Sequence, residues 1–414
     1  MAEVTMVVRR YGRVGGMESY VFNLVGALLK VGVKVNIVSE ERVEGVWGEE
    51  TLFLVKASRS RSRWRQMSHF RSTVDLTINR EKLRDNSIIH SHERTLYNDV
   101  TTMHGPLFRH SGYLRRIFSP RIRFWEAAEA LELLGSTDSV VVTVSELART
   151  ELLSKYGELL PESRIVVGHP GVPASVISRN NQRNSPSWNG VKVVMVGREW
   201  ARKGFDFGLS ICEVLQKKLG LAVHVDLIGC PEFKHPNFPG LSINFKGWVD
   251  SWWTKAKYDL MLHPARVEPF GMAVCEAANA RIPVICSNRV GALDFRCGHL
   301  ISMPLSESID LWAEKAVEVV KQNWSGDLAF DEIKWNWDDL ARLHLRRIYP
   351  LALKRKHNET ATNAAIATNI LFFMLVFDCV KRNGKEELGL FELSAWDSLG
   401  WFGMDVSRGK TVRR

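Results

Sequence analysis

The stretch VTMVVRRYGRVGGMESYVFNLVGALLKVGVKVNIVSE, residues 4–40, decides the fold. It opens on a short apolar run, crosses a glycine loop, continues with apolar residues at helical spacing, and closes on a second β-branched run. Strand spacing, glycine turn, helical spacing and strand spacing in that order make a βαβ unit. The same grammar returns at 191–229 as VKVVMVG, REWARKG, FDFGLSICEVLQKKLG and LAVHVDLIG. The chain has 414 residues, more than a single core sustains. Two α/β halves of the nucleotide-binding type are therefore expected.

Further strands are expected at SIIHSH (87–92), SVVVTVS (139–145), YDLMLH (258–263) and IPVICS (282–287). Continuous apolar runs of this kind suit parallel strands buried on both faces. Between the halves, ISRNNQRNSPSWNG (177–190) has loop composition and reads as a linker. The expected division is 1–185 for the first domain, 186–337 for the second, 338–355 for a returning helix, and 356–414 for a tail of unknown role.

With 45% apolar and 25% charged residues, the composition is globular and excludes bulk disorder. A net charge of +10 favours an anionic partner: nucleic acid, an acidic membrane face or a phosphorylated substrate. The six cysteines show no C-x-x-C and imply small buried hydrophobes rather than a disulfide framework. The start of the chain places its basic residues after the apolar run, the reverse of a secretory signal. AAIATNILFFMLVF (364–377) is interrupted by Asn369 and reads as a buried or interfacial helix rather than a span.

The chemistry concentrates in EPFGMAVCE, 268–276, with Glu268 and Glu276 eight positions apart. A loop containing Gly271 can turn the amides of Phe270, Gly271 and Met272 toward one point at the start of a helix through Ala273–Ala280. Taken alone, Glu268 could equally be a carboxylate favoured by a helix dipole, and Glu276 a solvated surface residue. In VVMVGREWARKGFD, Arg198 and Lys203 follow a strand and precede a helix, where both can reach a pyrophosphate. Gly15 and Gly16 lie in the first βα turn, which suits close backbone approach to a ligand or an ordinary turn.

Four pieces in order, GGMES (15–19), TVSE (143–146), GREWARKG (197–204) and HPARVEPFGMAVCEA (263–277), resemble the retaining nucleotide-sugar glycosyltransferases of family 4. The resemblance covers about residues 1–355. It implies the GT-B fold, two facing Rossmann-like α/β domains with a cleft between them. It also implies that Glu268 binds hydroxyls of the donor sugar and Glu276 the nucleotide ribose. His104, in TTMHGP, would contact the sugar near its reactive carbon, as an oxocarbenium stabiliser or a hydroxyl partner according to its protonation. His90 and His92, in IIHSHE, are weaker candidates, and no zinc site is expected from these histidines. Arg198 and Lys203 can hold the charge of the departing diphosphate. The sequence has no Asp-x-Asp, so neither metal nor cofactor is expected. Where relatives commonly have Asn-Gly, this chain has VVGHPGVP (166–173), and the resemblance ends before the tail. IKWNWDDLARLHLRRIYP (333–350) would end in a helix crossing back onto the first domain.

Two basic stretches, KASRSRSRWRQMSHFR (56–71) and FRHSGYLRRIFSPRIRFW (108–125), interleave arginines with Trp64, Met67, Phe70, Phe118, Phe124 and Trp125. They suit an anionic lipid or glycolipid surface, with a solvated face and nucleic acid as competing readings. The expected function is transfer of a sugar from a nucleotide-sugar donor to a glycan or glycolipid acceptor, in cell-surface polysaccharide or lipopolysaccharide synthesis. The expected location is the cytoplasm, with peripheral attachment to the inner face of the plasma membrane. The competing functions are a non-hydrolysing nucleotide-sugar epimerase and a non-enzymatic basic binding protein on the same scaffold.

Overall fold

The computed structural model describes residues 3–43, 45, 47–96, 98–108, 119–135, 139–173, 190–255 and 257–356, with Met404, Asp405, Lys410 and Thr411. The linker at 177–189, the apolar run 364–377 and nearly all of the tail lie outside the described residues. The chain divides into Met1–Ala364 and Ala365–Arg414. Of the second unit, a short antiparallel pair, Met404–Asp405 with Lys410–Thr411, is described.

Thirteen strands form two sheets. The first holds β1 (Glu3–Val7), β2 (Val35–Ser39), β3 (Thr51–Leu54), β4 (Ser87–Ser91), β5 (Val100–Met103), β6 (Val140–Thr143) and β7 (Ile165–Val167). The second holds β8 (Gly190–Val196), β9 (Ala222–Ile228), β10 (Leu241–Gly247), β11 (Leu260–His263), β12 (Val284–Ser287) and β13 (Leu300–Met303). All pairings in both are parallel.

In spatial order the first sheet runs β3-β2-β1-β4-β5-β6-β7 and the second β10-β9-β8-β11-β12-β13. Each therefore reverses direction of growth once, between β1 and β4 and between β8 and β11. Connections leave opposite faces at such a switch point, so a crevice opens beyond the carboxyl ends of those strands.

The helices that matter below are α1 (Gly16–Lys30), α2 (Arg63–Arg80), α3 (Pro120–Leu134), α4 (Glu146–Tyr156), α5 (Phe205–Leu219), α6 (Met272–Asn279), α7 (Ile309–Ser325), α8 (Trp337–Leu343) and α9 (Tyr349–Lys356). The apolar residues of α1, Tyr20, Val21, Leu24, Val25 and Leu28, are buried against Val4, Met6 and Ile37 of the first sheet. The same core takes Leu340 and Ala341 of α8 and Tyr349 and Ala352 of α9. Between α8 and α9 the segment His344–Ile348 is a π turn. In the second sheet, α7 buries Trp312 completely, edge-on to Phe207 of α5 at 5.6 Å. Burial of that size contributes about 3 kcal/mol.

The basic stretch at 56–71 differs from expectation. Met67 and Phe70 lie on α2 at helical spacing with Val74 and Ile78, and all four are buried in one core cluster. Phe124 and Trp125 pack against the same cluster. These side chains satisfy their own fold instead of projecting as anchors; Arg59, Arg61, Arg63 and Arg65 are the exposed part. Residues 109–118 of the second stretch lie outside the described residues.

Candidate active site

The second sheet gathers charge at its switch point. β8 ends at Val196, and Gly197 then turns the chain with φ 145° into a single helical turn, Trp200–Lys203. A Cβ at Gly197 would lie 2.7 Å from Cε of Lys203, so a side chain there would push the lysine aside. Lys203 reaches across to form an ion pair with Oε2 of Glu268. Nη1 of Arg202 lies 3.3 Å from the same oxygen and donates to the carbonyl of Val267 at 2.6 Å. His263, the last residue of β11 and fully buried, places Nε2 3.5 Å from that oxygen.

Glu268 itself is held by backbone: its amide donates to the Arg289 carbonyl, and its carbonyl accepts from Gly291. Burial alone would raise the pKa of this carboxyl; Lys203 beside it, His263 and Arg202 overcome that and hold it well below the usual carboxylate range. Glu268 is thus a buried, fully ionised carboxylate.

Gly271 adopts the left-handed region at φ 100° and opens α6. Its loop turns as the sequence required, although the helix begins at Met272 and ends at Asn279. The Phe270 ring is buried, 6.2 Å from His169 and 5.9 Å from Phe295, so its side chain props the loop from beneath. Met272 is half-buried. One turn along α6, Glu276 accepts a hydrogen bond from the indole nitrogen of Trp252 at 3.0 Å. Burial pushes its carboxyl up to about 7, against that bond and the charge of Lys203. Glu276 and Glu268 are therefore different acids on one motif.

Of the two expected cations, Lys203 belongs to this cluster, while Arg198 is exposed. Arg202 takes the place beside Glu268 that the sequence reading did not assign. The signal was present in the adjacent Arg202 and Lys203, but only the helical turn shows that both can face one carboxylate.

The first sheet assembles a second cluster, also at carboxyl ends of strands. Gly16 is the first residue of α1, with open space where a Cβ would stand. One turn on, Tyr20 meets the ring of His104 edge-on at 4.6 Å. His104 follows β5, and its Nε2 is hydrogen-bonded to Nδ1 of His92 at 2.9 Å. His90 sits 4.3 Å from His92, ring to ring, and is hydrogen-bonded to Thr102 and to Tyr349 of α9. Burial pushes His104 down to about 3 and holds His90 and His92 well below the ordinary value, where neighbouring imidazoles add to the effect. All three are neutral. Downstream, the amide of Phe108 donates to buried Glu129, and Lys155 donates to the Phe108 carbonyl, so the segment after His104 is tied to α3 and α4.

Contacts between the two halves border the Pro-Phe-Gly loop. The hydroxyl of Ser145 caps α4, accepting from the Ala148 amide, and donates to the carbonyl of Pro269. Asp294 accepts from the Glu146 amide at 2.8 Å and pairs with His169 Nε2 at 2.9 Å. The indole of Trp335 donates to the His169 carbonyl. The segment VVGHPGVP, which departs from the expected pattern, is thus a joint between the halves, made by His169.

Two parallel sheets of Rossmann order, each with polar groups at its switch point, make the GT-B fold. Residues 14–176 match the family model described as Glycosyltransferase Family 4, and residues 190–322 match that described as Glycosyl transferases group 1. The chain thus carries a family 4 glycosyltransferase domain followed by a group 1 glycosyltransferase domain.

A curated relative, the lipopolysaccharide glucosyltransferase WaaG of Escherichia coli (strain K12), is 28% identical over 220 residues. That alignment covers 47% of this chain and 57% of the relative, so the chain matches little more than half the length of that protein. The crystal structure of WaaG superposes with a TM-score of 0.64 at 17% identity, covering 87% of this chain and all of that one. HepE of Anabaena, solved with UDP and glucose, superposes with a TM-score of 0.54 at 14% identity, covering 86% and 99%. These matches are to transferases, and the epimerase reading gains no support from them.

Proposed function

We propose that the protein transfers a sugar, with retention of configuration, from a nucleotide-sugar donor to a glycan or glycolipid acceptor in the synthesis of cell-surface polysaccharide or lipopolysaccharide. The observation that carries this reading is the buried Glu268 carboxylate, kept ionised by Lys203 and Arg202 at the switch point of the second sheet. A carboxylate of fixed charge is an acceptor for sugar hydroxyls, and the two cations beside it meet the charge that grows on a departing diphosphate.

In this reading Glu268 and His104 contact the reacting sugar. Lys203, with Arg202, holds the diphosphate; Arg198, exposed at the rim, joins when donor binds. Glu276 accepts from the ribose, the Phe270, Gly271 and Met272 backbone lines the donor's path, and Gly16 leaves room for it on the opposite domain. No side chain in the motif is placed as a base for the acceptor, so the leaving phosphate takes the acceptor's proton on the same face as attack.

The proposed division of the chain is 1–185 for the acceptor side, 186–337 for the donor side and 338–355 for the returning helix, with 356–414 as a tail; the burial of Leu340, Tyr349 and Ala352 in the first core supports the third part. The proposed location is the cytoplasm, against the inner face of the plasma membrane, through exposed arginines of 59–65 rather than through apolar anchors. Among the described residues no helix is long and apolar enough to cross a membrane.

The test is release of nucleoside diphosphate from a panel of sugar nucleotides, with and without a membrane glycolipid extract, in wild type and Glu268→Ala. Release from one donor, raised by the extract and lost in the variant, is expected. Equal release by the folded variant would remove Glu268 from the site, and no release from any donor would favour the binding-protein alternative.

A further inference from the structure

Four histidines stand in a column on the first sheet: His344 of the π turn, His90 and His92 around the end of β4, and His104 after β5. Successive ring centroids are 5.3, 4.3 and 5.2 Å apart. Among the described residues no group of three or more His, Cys, Asp or Glu is arranged to hold a metal ion.

The positions of its protons follow from what each ring touches. Nδ1 of His344 donates to the carbonyl of Leu340 at 2.9 Å, since a carbonyl can only accept. His90 lies between the hydroxyls of Thr102 and Tyr349, either of which can give or take, so it imposes no direction. His92 differs. Its Nε2 faces the sulfur of Met6 at 3.5 Å, and a thioether has no proton to give. That contact is a hydrogen bond only when Nε2 of His92 carries the proton. In a neutral ring Nδ1 is then bare, and the 2.9 Å bond to His104 runs from His104 Nε2–H to His92 Nδ1. His104 is consequently bare at Nδ1, which has no partner among the described residues.

We propose that His92, oriented by Met6, is a positioning residue that fixes His104 as its Nε2–H tautomer, so that His104 meets a donor-sugar hydroxyl as an acceptor through Nδ1. This rests on the reading of His104 as a donor-sugar contact. It decides between the two roles open to that residue: His104 holds a hydroxyl. As a neutral ring it also adds no positive charge beside an oxocarbenium-like carbon, where an imidazolium would be repelled.

The experiment has two arms. Long-range proton–nitrogen spectra of the full chain labelled with [15N]histidine, assigned by loss of signals in His104→Gln and His92→Asn, report each ring's tautomer directly. Both His92 and His104 are expected to carry their proton on Nε2, and a His104 protonated at Nδ1 would overturn the assignment. In the second arm, His92→Leu lowers kcat about tenfold, the equivalent of one ordinary hydrogen bond. His92→Asn, whose amide oxygen can stand near the place of Nδ1, recovers most of that loss. Equal losses in both would make His92 merely structural. A folded His104→Ala enzyme with wild-type kcat would defeat the donor-contact reading while leaving the tautomer result standing. If His92→Leu does not fold, the wild-type spectra still decide.

Discussion

The Glu268 cluster and the histidine column occupy equivalent places, each at the switch point of a parallel sheet and each removed from water, yet they solve burial in opposite ways. Glu268 keeps its charge because Lys203, Arg202 and His263 converge on one oxygen. The histidines give up theirs, bonding to hydroxyls, a sulfur and one another. Desolvation opposes charge at both sites, and partners decide the outcome. The second half thereby presents ionic groups at its switch point and the first half neutral hydrogen-bonding groups.

The largest expected effect tests the charged side. Glu268→Gln keeps shape and removes charge, and kcat/KM should fall by about 10²–10³, the scale of losing one preorganised polar group. If His104→Gln costs more than this, the ranking of the two clusters is reversed.

Next comes Lys203→Met, which leaves Glu268 with Arg202 and buried His263. Breaking a buried pair from one side costs about 3 kcal/mol, measured by urea unfolding. The double variant with Glu268→Gln should recover much of that stability, because no uncompensated carboxylate remains. Additive losses would show that the two side chains are not coupled.

Acid separates the clusters more gently. Folded-state values of the histidines are depressed, so below an ordinary value of 6.5 the unfolded chain takes up protons that the folded chain does not. Stability should therefore fall as pH drops below 6.5, by about 1.4 kcal/mol per pH unit for each such histidine. Glu268 acts in another window: its contribution is present above 4.5 and is lost only as pH falls through its depressed folded value. Urea midpoints between pH 5 and 7 should flatten in His344→Leu and be unaltered in slope in Glu268→Gln. The opposite pattern would assign acid sensitivity to the wrong half.

The smallest effect concerns Glu276. With its carboxyl raised to about 7, it gains a proton as pH falls through that value and, in its proposed place at the ribose, loses an acceptor. Donor KM should then rise two- to threefold, about the worth of a weak hydrogen bond, with kcat little changed. Glu276→Gln should abolish the dependence, and a KM that rises instead with pH would refute it.

The first βα step of each sheet was legible because periodicity is local, in runs such as VTMVV and VKVVMV, whereas β3, β7, β10 and β13, short or half-exposed runs, were not read. The Glu-Pro-Phe-Gly loop was legible for the same reason. What could not be read is what the topology brings from afar. Met67 and Phe70 look like anchors among arginines until the helical face turns them inward. Trp252 reaches Glu276, and His169 reaches Asp294, across separations that no local pattern announces. His344 joins His90 from a helix far along the chain, so the column had no signature beyond His90, His92 and His104. Arg198 and Arg202 both looked basic and near; one helical turn made the difference between rim and cluster.

The π turn at His344–Ile348 carries an evolutionary implication. Residues five apart on an α-helix point about 140° away from each other, yet His344 and Tyr349 both lie beside His90, with centroids 5.3 and 5.9 Å from it. A π turn marks where a helix has accepted one extra residue without lengthening its path. Descendants that lose a single codon there would keep a continuous helix and its apolar stripe, but only one of the two rings could still grip His90. The residue count of one helix is therefore tied to a site on another element, and deleting one residue within the π turn should cost more than substituting one there.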